Sequence, residues 1–177
     1  MSLAIPVNES DHIQGHVDAP ATLVEYGDYQ CPYCKAAYFV IKEVQTVLGD
    51  KMRLVFRNMP LIQVHPLAEL AAEAAEAAGA QGQFWPVHDA IYENQDTLGA
   101  DMLAALADPF VLDMTRFVED MRSHRFLAKI REDLRGAVLS GAAGTPTFFI
   151  NGEHYEGRYD APSLAQALSA AAATGRP

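Results

Sequence analysis

The chain contains two cysteines, which lie three positions apart in the stretch Cys31-Pro32-Tyr33-Cys34. Two thiols one helical turn apart face the same side of a helix and can join in a disulfide. The chemistry available to such a pair is thiol–disulfide exchange, in which a thiolate attacks a disulfide and a mixed disulfide forms. Cys31 would attack the partner, and Cys34 would then displace it.

The elements predicted around the cysteines give the two thiols different roles. A short apolar strand over residues 21–26 precedes a helix that begins at Pro32 and ends at Gly49. Cys31 would therefore lie at the helix N-terminus, where unpaired N–H groups and the helix dipole favour a thiolate. This setting lowers the pKa of a thiol to about 3.5–7.5. Cys34 lies further into the helix and would be less exposed.

Three other interpretations of the cysteine pair remain open. A structural disulfide across so short a loop would stabilise the fold by only about 2 kcal/mol. A zinc site could combine the pair with His12 and His16, which precede it at suggestive spacing, but it leaves the strand–helix context unexplained. The third interpretation is a pair of inert cysteines in the core. Redox catalysis is the interpretation that uses both the spacing and the position of the pair.

The remaining pattern predicts a sheet interrupted by helices. A second strand over 52–56 completes a β-α-β unit, so the first two strands should be parallel. Residues 63–139 show only helical periodicity, with Glu69, Glu73 and Glu76 opposite the apolar face of the first helix in this block. The sheet resumes at 145–150. The dipeptide Asn151-Gly152 that follows is a strong hairpin signal.

The two ends of the chain carry weaker patterns. Residues 1–20 are polar and broken by Pro6, Gly15 and Pro20, and they are interpreted as a lead-in segment. A return strand over 153–155 and a last helix capped by Asp160 follow the hairpin. Residues 174–177 are expected to be frayed.

Composition argues against nucleic-acid binding and membrane insertion, and it leaves two cellular locations open. A formal net charge of -10 makes nucleic-acid binding a poor expectation, because such a surface repels phosphate backbones. No apolar run approaches membrane-spanning length, so we expect no membrane insertion. The N-terminus shows no secretory signal. We therefore expect a cytoplasmic location, or a periplasmic or exported one if the sequence is a trimmed mature form.

Two separated segments resemble the DsbA-like family of thioredoxin-fold oxidoreductases. Residues 23–34 (LVEYGDYQCPYC) resemble the active-site strand and helix of that family, and residues 144–152 (GTPTFFING) resemble its cis-proline loop and hairpin. The stretch 65–88, which contains Phe84-Trp85, is similar to a subgroup also found fused to bacterial sodium/proton antiporters. The resemblance implies an α/β thioredoxin fold, with a core formed by 1–62 and 140–177 and an all-helical insertion over 63–139.

The resemblance also assigns roles to residues around the dithiol. Pro146 would be the cis-proline facing the cysteines, and the backbone of Thr145 would pair with an extended substrate segment, with its hydroxyl able to tune the thiols. Tyr33 joins these two as a substrate-binding residue. Glu25 matches the buried acid of the family and would accept the proton of Cys34.

Other polar and aromatic side chains are expected to be structural. Asp28 is interpreted as a loop or cap residue. Phe84 and Trp85 are expected to close the insertion onto the core. Four histidines show no pairing pattern and are assigned structural roles: His65, His88, His124 and His154.

The predicted function is thiol–disulfide oxidoreductase, with no cofactor beyond the redox-active disulfide. Its partners would be thiol- or disulfide-containing proteins and a redox partner or glutathione as co-substrate. The Pro-Tyr pair between the cysteines differs from the Pro-His of strongly oxidising DsbA proteins, so we expect a less oxidising protein. A glutathione-dependent transferase or isomerase on the same fold is the alternative, although it would not need Cys34.

Overall fold

The computed structural model describes residues 1–106 and 109–174 of the chain. The first strand of the sheet lies earlier in the chain than the sequence predicts. The helical periodicity predicted over 63–139 and the frayed tail predicted over 174–177 include residues 107–108 and 175–177, which lie outside the described residues. Twelve elements are arranged in the order β1 (His12–Gly15), β2 (Ala21–Gly27), α1 (Pro32–Leu48), β3 (Met52–Asn58), α2 (Ala68–Gly79), α3 (Phe84–Glu93), α4 (Ala100–Ala105), α5 (Met114–Arg122), α6 (Leu127–Leu139), β4 (Thr147–Ile150), β5 (Glu153–Tyr155) and α7 (Ala161–Thr174).

The strands form one five-stranded sheet in the order β1-β3-β2-β4-β5. The central strands β2 and β3 are parallel because α1 crosses between them, and the other neighbouring pairs are antiparallel. Asn151 and Gly152 both have positive φ, at 48° and 84°, which is the conformation that a two-residue hairpin turn requires. The mixed α/β class predicted from the sequence is confirmed.

The two faces of the sheet carry different helices because side chains alternate along β2. Leu23 packs with α1 and α7 on one face, whereas Val24 packs with α6 on the other. Glu25 has the same parity as Leu23, so its side chain points to the face that α1 covers. This alternation places an acidic side chain beneath the helix that begins at the cysteines.

The interpretation of residues 1–20 as a lead-in segment is wrong for its middle part. His12–Gly15 forms β1, which pairs antiparallel with β3. The guanidinium of Arg57 fixes the preceding residues, since it donates to both carboxylate oxygens of Asp11 at 2.7 and 2.8 Å and to the carbonyls of Ile5 and Pro6. A strand with the sequence HIQG has one apolar residue, so it lacks the alternation of apolar and polar residues that would predict a strand.

The placement of Glu73 and Glu76 on the outer face of α2 is also wrong. Both side chains are buried, because segments that precede and follow α2 in the chain cover this face of the helix. Glu76 accepts from His12 at 2.8 Å and from Lys129 at 3.1 Å, and Glu73 bonds to His124 at 3.0 Å. Each buried carboxylate thus has a basic partner that sequence periodicity does not reveal.

The described residues of 63–139 form the five helices α2–α6 and contain no strand. These helices share a buried cluster with Tyr29, Cys31, Cys34 and Phe56 from the sheet side of the molecule. The helical block therefore supplies one wall of the cysteine environment. Its treatment as an insertion with its own boundaries stays a prediction. Within the two described ranges no helix is long and apolar enough to cross a membrane.

Candidate active site

The turn between β2 and α1 presents Cys31 at the first turn of the helix. The Asp28 carboxylate accepts from the Gln30 N–H at 2.8 Å, and the Asp28 carbonyl accepts from the Cys31 N–H at 3.1 Å. Cys31 keeps extended backbone angles (φ -73°, ψ 123°) as the N-cap residue, and Pro32 occupies the first helical position. The sulfur consequently lies beside the free N–H groups of the helix start.

Hydrogen bonds to sulfur lower the pKa of Cys31 to about 5. The largest contribution is the thiol of Cys34, and the Thr145 side chain and the N–H groups of Cys34 and Tyr33 act in the same direction, whereas burial opposes them. Each of these donors stabilises the thiolate more than the neutral thiol. Cys31 is therefore ionised at neutral pH.

Cys34 has the opposite electrostatic environment. Its side chain is fully buried, and burial together with the negative charges of Glu25 and Cys31 raises the pKa of this thiol far above its ordinary range. The Asp28 N–H donates to the Cys34 sulfur at 3.4 Å. Both cysteines are free thiols in the structure. Cys34 thus keeps its proton until a base removes it.

Glu25 lies buried beneath α1. It is 2% exposed and its neighbours in register are Phe56 on β3 and Phe148 on β4, so neither flanking position provides a cation. Its Oε1 atom has no hydrogen-bond partner among the described residues. Burial, assisted by the charge of Cys31, raises the pKa of Glu25 to about 8. A carboxyl group with this pKa can exchange protons near neutral pH.

Thr145 and Pro146 lie across from the cysteines, in the loop before β4. The peptide bond between them is cis. The Thr145 carbonyl lies 3.4 Å from the Cys31 sulfur and accepts from it when the thiol is protonated. The Thr145 hydroxyl is buried, and its one interaction among the described residues is with the Cys31 sulfur. Tyr33, by contrast, is 65% exposed at the surface beside the dithiol. Each residue that the resemblance placed in the site is therefore in the cysteine turn, beneath it or facing it.

Asp28 takes a larger part in the site than the sequence predicts. Beyond its turn contacts, its carboxylate accepts from the Leu61 N–H at 2.8 Å and pairs with His65 at 2.9 Å. The segment after β3 is thereby attached to the cysteine turn. The Asp-x-Gln spacing before Cys31 could have indicated the turn contact with Gln30, but no local pattern indicates the bonds to Leu61 and His65.

Gln95 is a second contributor that the sequence analysis does not identify. It lies in a short 3-10 turn after α3, and its side-chain amide donates to the carbonyls of Tyr29 at 2.9 Å and Cys31 at 3.0 Å. In the same turn Asp96 pairs with Lys35 at 3.0 Å. The helical block thus holds the active-site turn through main-chain carbonyls. Nothing in the spacing of Gln95 signals this role.

The histidines occupy positions that agree with structural roles. The buried ring of His88 bonds to the Tyr29 hydroxyl at 2.9 Å, and its pKa is lowered well below the usual value by burial and by the charge of Lys42. His12 stacks on Phe84 at 3.4 Å and bonds to Glu76, so its ring is engaged away from the dithiol. In the parts of the chain that the structure describes, no three His, Cys, Asp or Glu side chains are grouped to hold a metal.

Phe84 and Trp85 join α3 to the rest of the core. The Trp85 indole donates to the Ile13 carbonyl of β1 at 3.1 Å, and Phe84 is buried in the cluster that contains the cysteines. These contacts place both rings behind the site, where they close the helical block onto the sheet.

Sequence comparison relates most of the chain to one family. Residues 7–170 match a family described as Thioredoxin. The chain is 44% identical over 177 residues to a protein named Na(+)/H(+) antiporter NhaA 1 from Salinispora arenicola, and 41% identical over 171 residues to Na(+)/H(+) antiporter NhaA from Herminiimonas arsenicoxydans. The matches cover 99% and 96% of this chain but 27% of each relative. The chain thus spans about a quarter of the length of the curated relatives it matches.

Comparison with solved structures gives the same fold. Alpha-DsbA1 of Wolbachia pipientis superposes with a TM-score of 0.83 at 19% identity, covering 98% of this chain and 96% of that one. BdbD of Bacillus subtilis superposes with a TM-score of 0.80 at 22% identity, covering 91% and 92%. Likeness at this identity concerns the fold alone.

Proposed function

The chain belongs to the thioredoxin family, and from this membership and the geometry of its dithiol we propose that it is a thiol–disulfide oxidoreductase working through Cys31 and Cys34. The observation that carries the proposal is that the pKa of one thiol is lowered and the pKa of the other, one helical turn away, is raised. One thiol is held as a thiolate at the helix start, and the other is buried and protonated. This asymmetry suits a nucleophile and a resolving thiol.

The proposed reaction starts from the reduced protein. The Cys31 thiolate attacks one sulfur of a partner disulfide, the partner S–S bond breaks, and the other partner sulfur leaves with the electron pair as a thiolate. Glu25 then accepts the proton of Cys34, whose sulfur attacks Cys31. The Cys31–partner bond breaks, and the partner leaves as a second thiolate. The protein is oxidised by two electrons and the partner disulfide is reduced by two. The reverse sequence donates a disulfide.

No bound cofactor is needed, because the dithiol itself carries the two electrons. Glutathione would enter as a small-thiol partner. A glutathione-dependent transferase is less well supported, since that chemistry gives no role to Cys34 or to Glu25. The cytoplasmic location and the less oxidising character expected from the Pro-Tyr pair remain proposals.

The surface beside the dithiol suits an apolar partner. Three large apolar side chains are exposed around the cysteine turn: Tyr33 at 65%, Ile62 at 49% and Val64 at 66%. The segment with Ile62 and Val64 is attached to the turn through the Asp28 contacts. We propose that unfolded or extended protein segments bind here, with the main chain of Thr145 as a pairing site.

The assignment of roles is tested by replacing each cysteine separately. We expect Cys31→Ser to abolish catalysed disulfide exchange, because it removes the only ionised thiol. Cys34→Ser should still attack but accumulate mixed disulfides, which mass spectrometry of non-reduced samples detects. Substantial turnover by Cys31→Ser would contradict the assignment. Equal trapping by both variants would contradict the difference between the two thiols.

A further inference from the structure

A small cavity lies between α1, α3 and the sheet, on the side of Glu25 that faces the helices. Its volume is about 10 Å3, close to the smallest space that holds one water molecule. Glu25 lines it from β2, Lys42 from α1, and His88 and Asp89 from α3. The cavity therefore joins a buried carboxyl of the active site to two helices that reach the surface.

Two carboxylate oxygens in the lining have no protein partner among the described residues. They are Oε1 of Glu25 and Oδ1 of Asp89, and both are buried. The other oxygen of Asp89 accepts from the Lys42 ammonium at 2.6 Å. The Lys42 and Asp89 side chains are 34% and 28% exposed, so the outer end of the arrangement is in contact with solvent. A water molecule in the cavity would have polar partners on both sides.

The proposed reaction requires such an exit for protons. While Cys31 is a thiolate, its charge favours the protonated form of Glu25. Formation of the mixed disulfide removes that charge, and Glu25 must release a proton before it can accept the one from Cys34. The strand neighbours Phe56 and Phe148 provide no path, since neither can carry a proton.

We propose that Asp89, acting through a water in this cavity, carries protons between Glu25 and solvent during the step in which Cys34 resolves the mixed disulfide. The inference rests on the proposed oxidoreductase function. Glu25 releases its proton to the water, the water passes one to Asp89, and Asp89 returns it to bulk solvent. Glu25 then accepts the Cys34 proton as the new Cys34–Cys31 bond forms.

The other ionisable groups near Glu25 do not offer this route. His88 remains neutral because burial and the charge of Lys42 lower its pKa. Burial raises the pKa values of the remaining tyrosines and of the resolving thiol, so they keep their protons at neutral pH: Tyr29, Tyr38, Tyr92 and Cys34. The Lys42 ammonium is the cation that pairs with Asp89. Of the groups in the lining, Asp89 has both a partly exposed side chain and a carboxylate oxygen without a hydrogen-bond partner among the described residues.

The test uses the reduced full chain and a symmetrical aromatic disulfide whose thiolate product absorbs visible light. Rapid mixing gives two releases of product, the first when Cys31 attacks and the second when Cys34 resolves the mixed disulfide. We expect Asp89→Asn to slow the second release by about a hundredfold, at the lower end of what proton-transfer groups contribute. The second release should also become more sensitive to D2O, and the first should not change.

The matched control is Glu93→Gln, on the same helix one turn further on. Glu93 also accepts a hydrogen bond from α1, from the Tyr38 hydroxyl at 3.0 Å, but it does not line the cavity. Its second release should slow far less than that of Asp89→Asn, because Glu93 acts on Asp89 only through its charge and leaves the Asp89 carboxylate in place. An Asp89→Asn variant with normal second release, or one slowed equally in both phases, would overturn the relay.

The experiment has two further outcomes: a variant that fails to fold, and an unsubstituted chain that gives no second release. If Asp89→Asn does not fold, Asp89→Ser is tested with added formate, which can stand in for the carboxylate. Recovery of the second release supports the relay, and no recovery overturns it. If the unsubstituted chain gives no second release at all, the oxidoreductase proposal itself has failed, and the result is visible before any variant is made.

Discussion

Among single residues, Cys31 and Glu25 link the stability of the reduced protein to pH in opposite directions. The pKa of Cys31 falls from 9.0 to about 5, so between these values the folded chain binds fewer protons at this site than the unfolded chain, and stability rises with pH. The pKa of Glu25 rises from 4.5 to about 8, so its contribution to stability falls with pH over that range. The two contributions largely cancel between pH values of about 5 and 8.

Replacement of Glu25 by Gln should expose the Cys31 contribution. We expect the free energy of unfolding of reduced Glu25→Gln to increase steadily as the pH rises from about 5 to 9, whereas the unsubstituted reduced protein shows a flatter profile. Urea titrations at several pH values under reducing conditions measure both. The oxidised variant is the control, because it has no Cys31 thiol to ionise and should lack the increase. Parallel profiles for the two reduced proteins would disprove the linkage.

How far the site can be predicted depends on how local each residue's contacts are. Cys31 and Cys34 follow from the spacing at one helix start, and the resemblance to the DsbA-like family adds Glu25 from the strand just before it, so a short segment is sufficient to place them together. Asp28 and Gln95 differ, because their contacts join segments tens of residues apart. Only the packing of the helical block brings the Gln95 amide to the carbonyls of Tyr29 and Cys31.

Among the elements, the 3-10 turn with Gln95 holds the start of α1, and this gives a prediction. Removal of its two hydrogen bonds by Gln95→Ala should destabilise the protein by about 1–3 kcal/mol. It should also raise the pKa of Cys31, because the N–H groups that lower this pKa lie at the start of α1, which the Gln95 amide holds in place. Thiolate absorbance measured against pH in the reduced protein follows the second effect.

Gln81→Ala is the matched control for this variant. Gln81 also makes two hydrogen bonds to main chain, both to Asp113, but it lies at the end of α2 away from the dithiol. Its loss should leave the Cys31 titration unchanged. The same titration curve for both variants would show that the Gln95 turn does not act on the thiolate.

The same limit on local information applies to the elements. The Asn151-Gly152 turn and the Asp160 cap, which accepts from the Ser163 N–H at 3.0 Å, are encoded within a few residues and are found where predicted. Strand β1 is not, because its partner β3 is distant in the chain, and Arg57 of β3 reaches back to Asp11 just before β1. Burial of Glu73 and Glu76 is likewise decided by segments distant in the chain that pack onto α2.

For the molecule as a whole, the apolar surface around the dithiol should distinguish protein substrates from small ones. Val64→Ser removes about 1 kcal/mol of apolar contact with a bound segment, which corresponds to about fivefold in KM for a protein disulfide. Exchange with a small disulfide should not change. Steady-state kinetics on both substrate types provide the measurement.

Val47→Ser is the matched control, because the two valines are almost equally exposed at 66% and 67%. Val47 lies near the far end of α1, roughly 20 Å along the helix from Cys34. Its replacement should affect neither substrate. A similar KM increase for both variants would mean that the surface near the cysteines has no special part in recognition.

The covered edges of the sheet have a consequence for aggregation. At one edge the Trp85 indole N–H donates to the Ile13 carbonyl of β1. At the other edge Ser2 forms a β-bridge with Glu153, and the Met1 carbonyl accepts from the backbone N–H of His154. Strand edges whose polar groups are occupied are poor templates for pairing with another chain. Under the proposed function the protein would meet many free β-segments, and these contacts would oppose cross-β association along its own sheet while such segments bind at the dithiol.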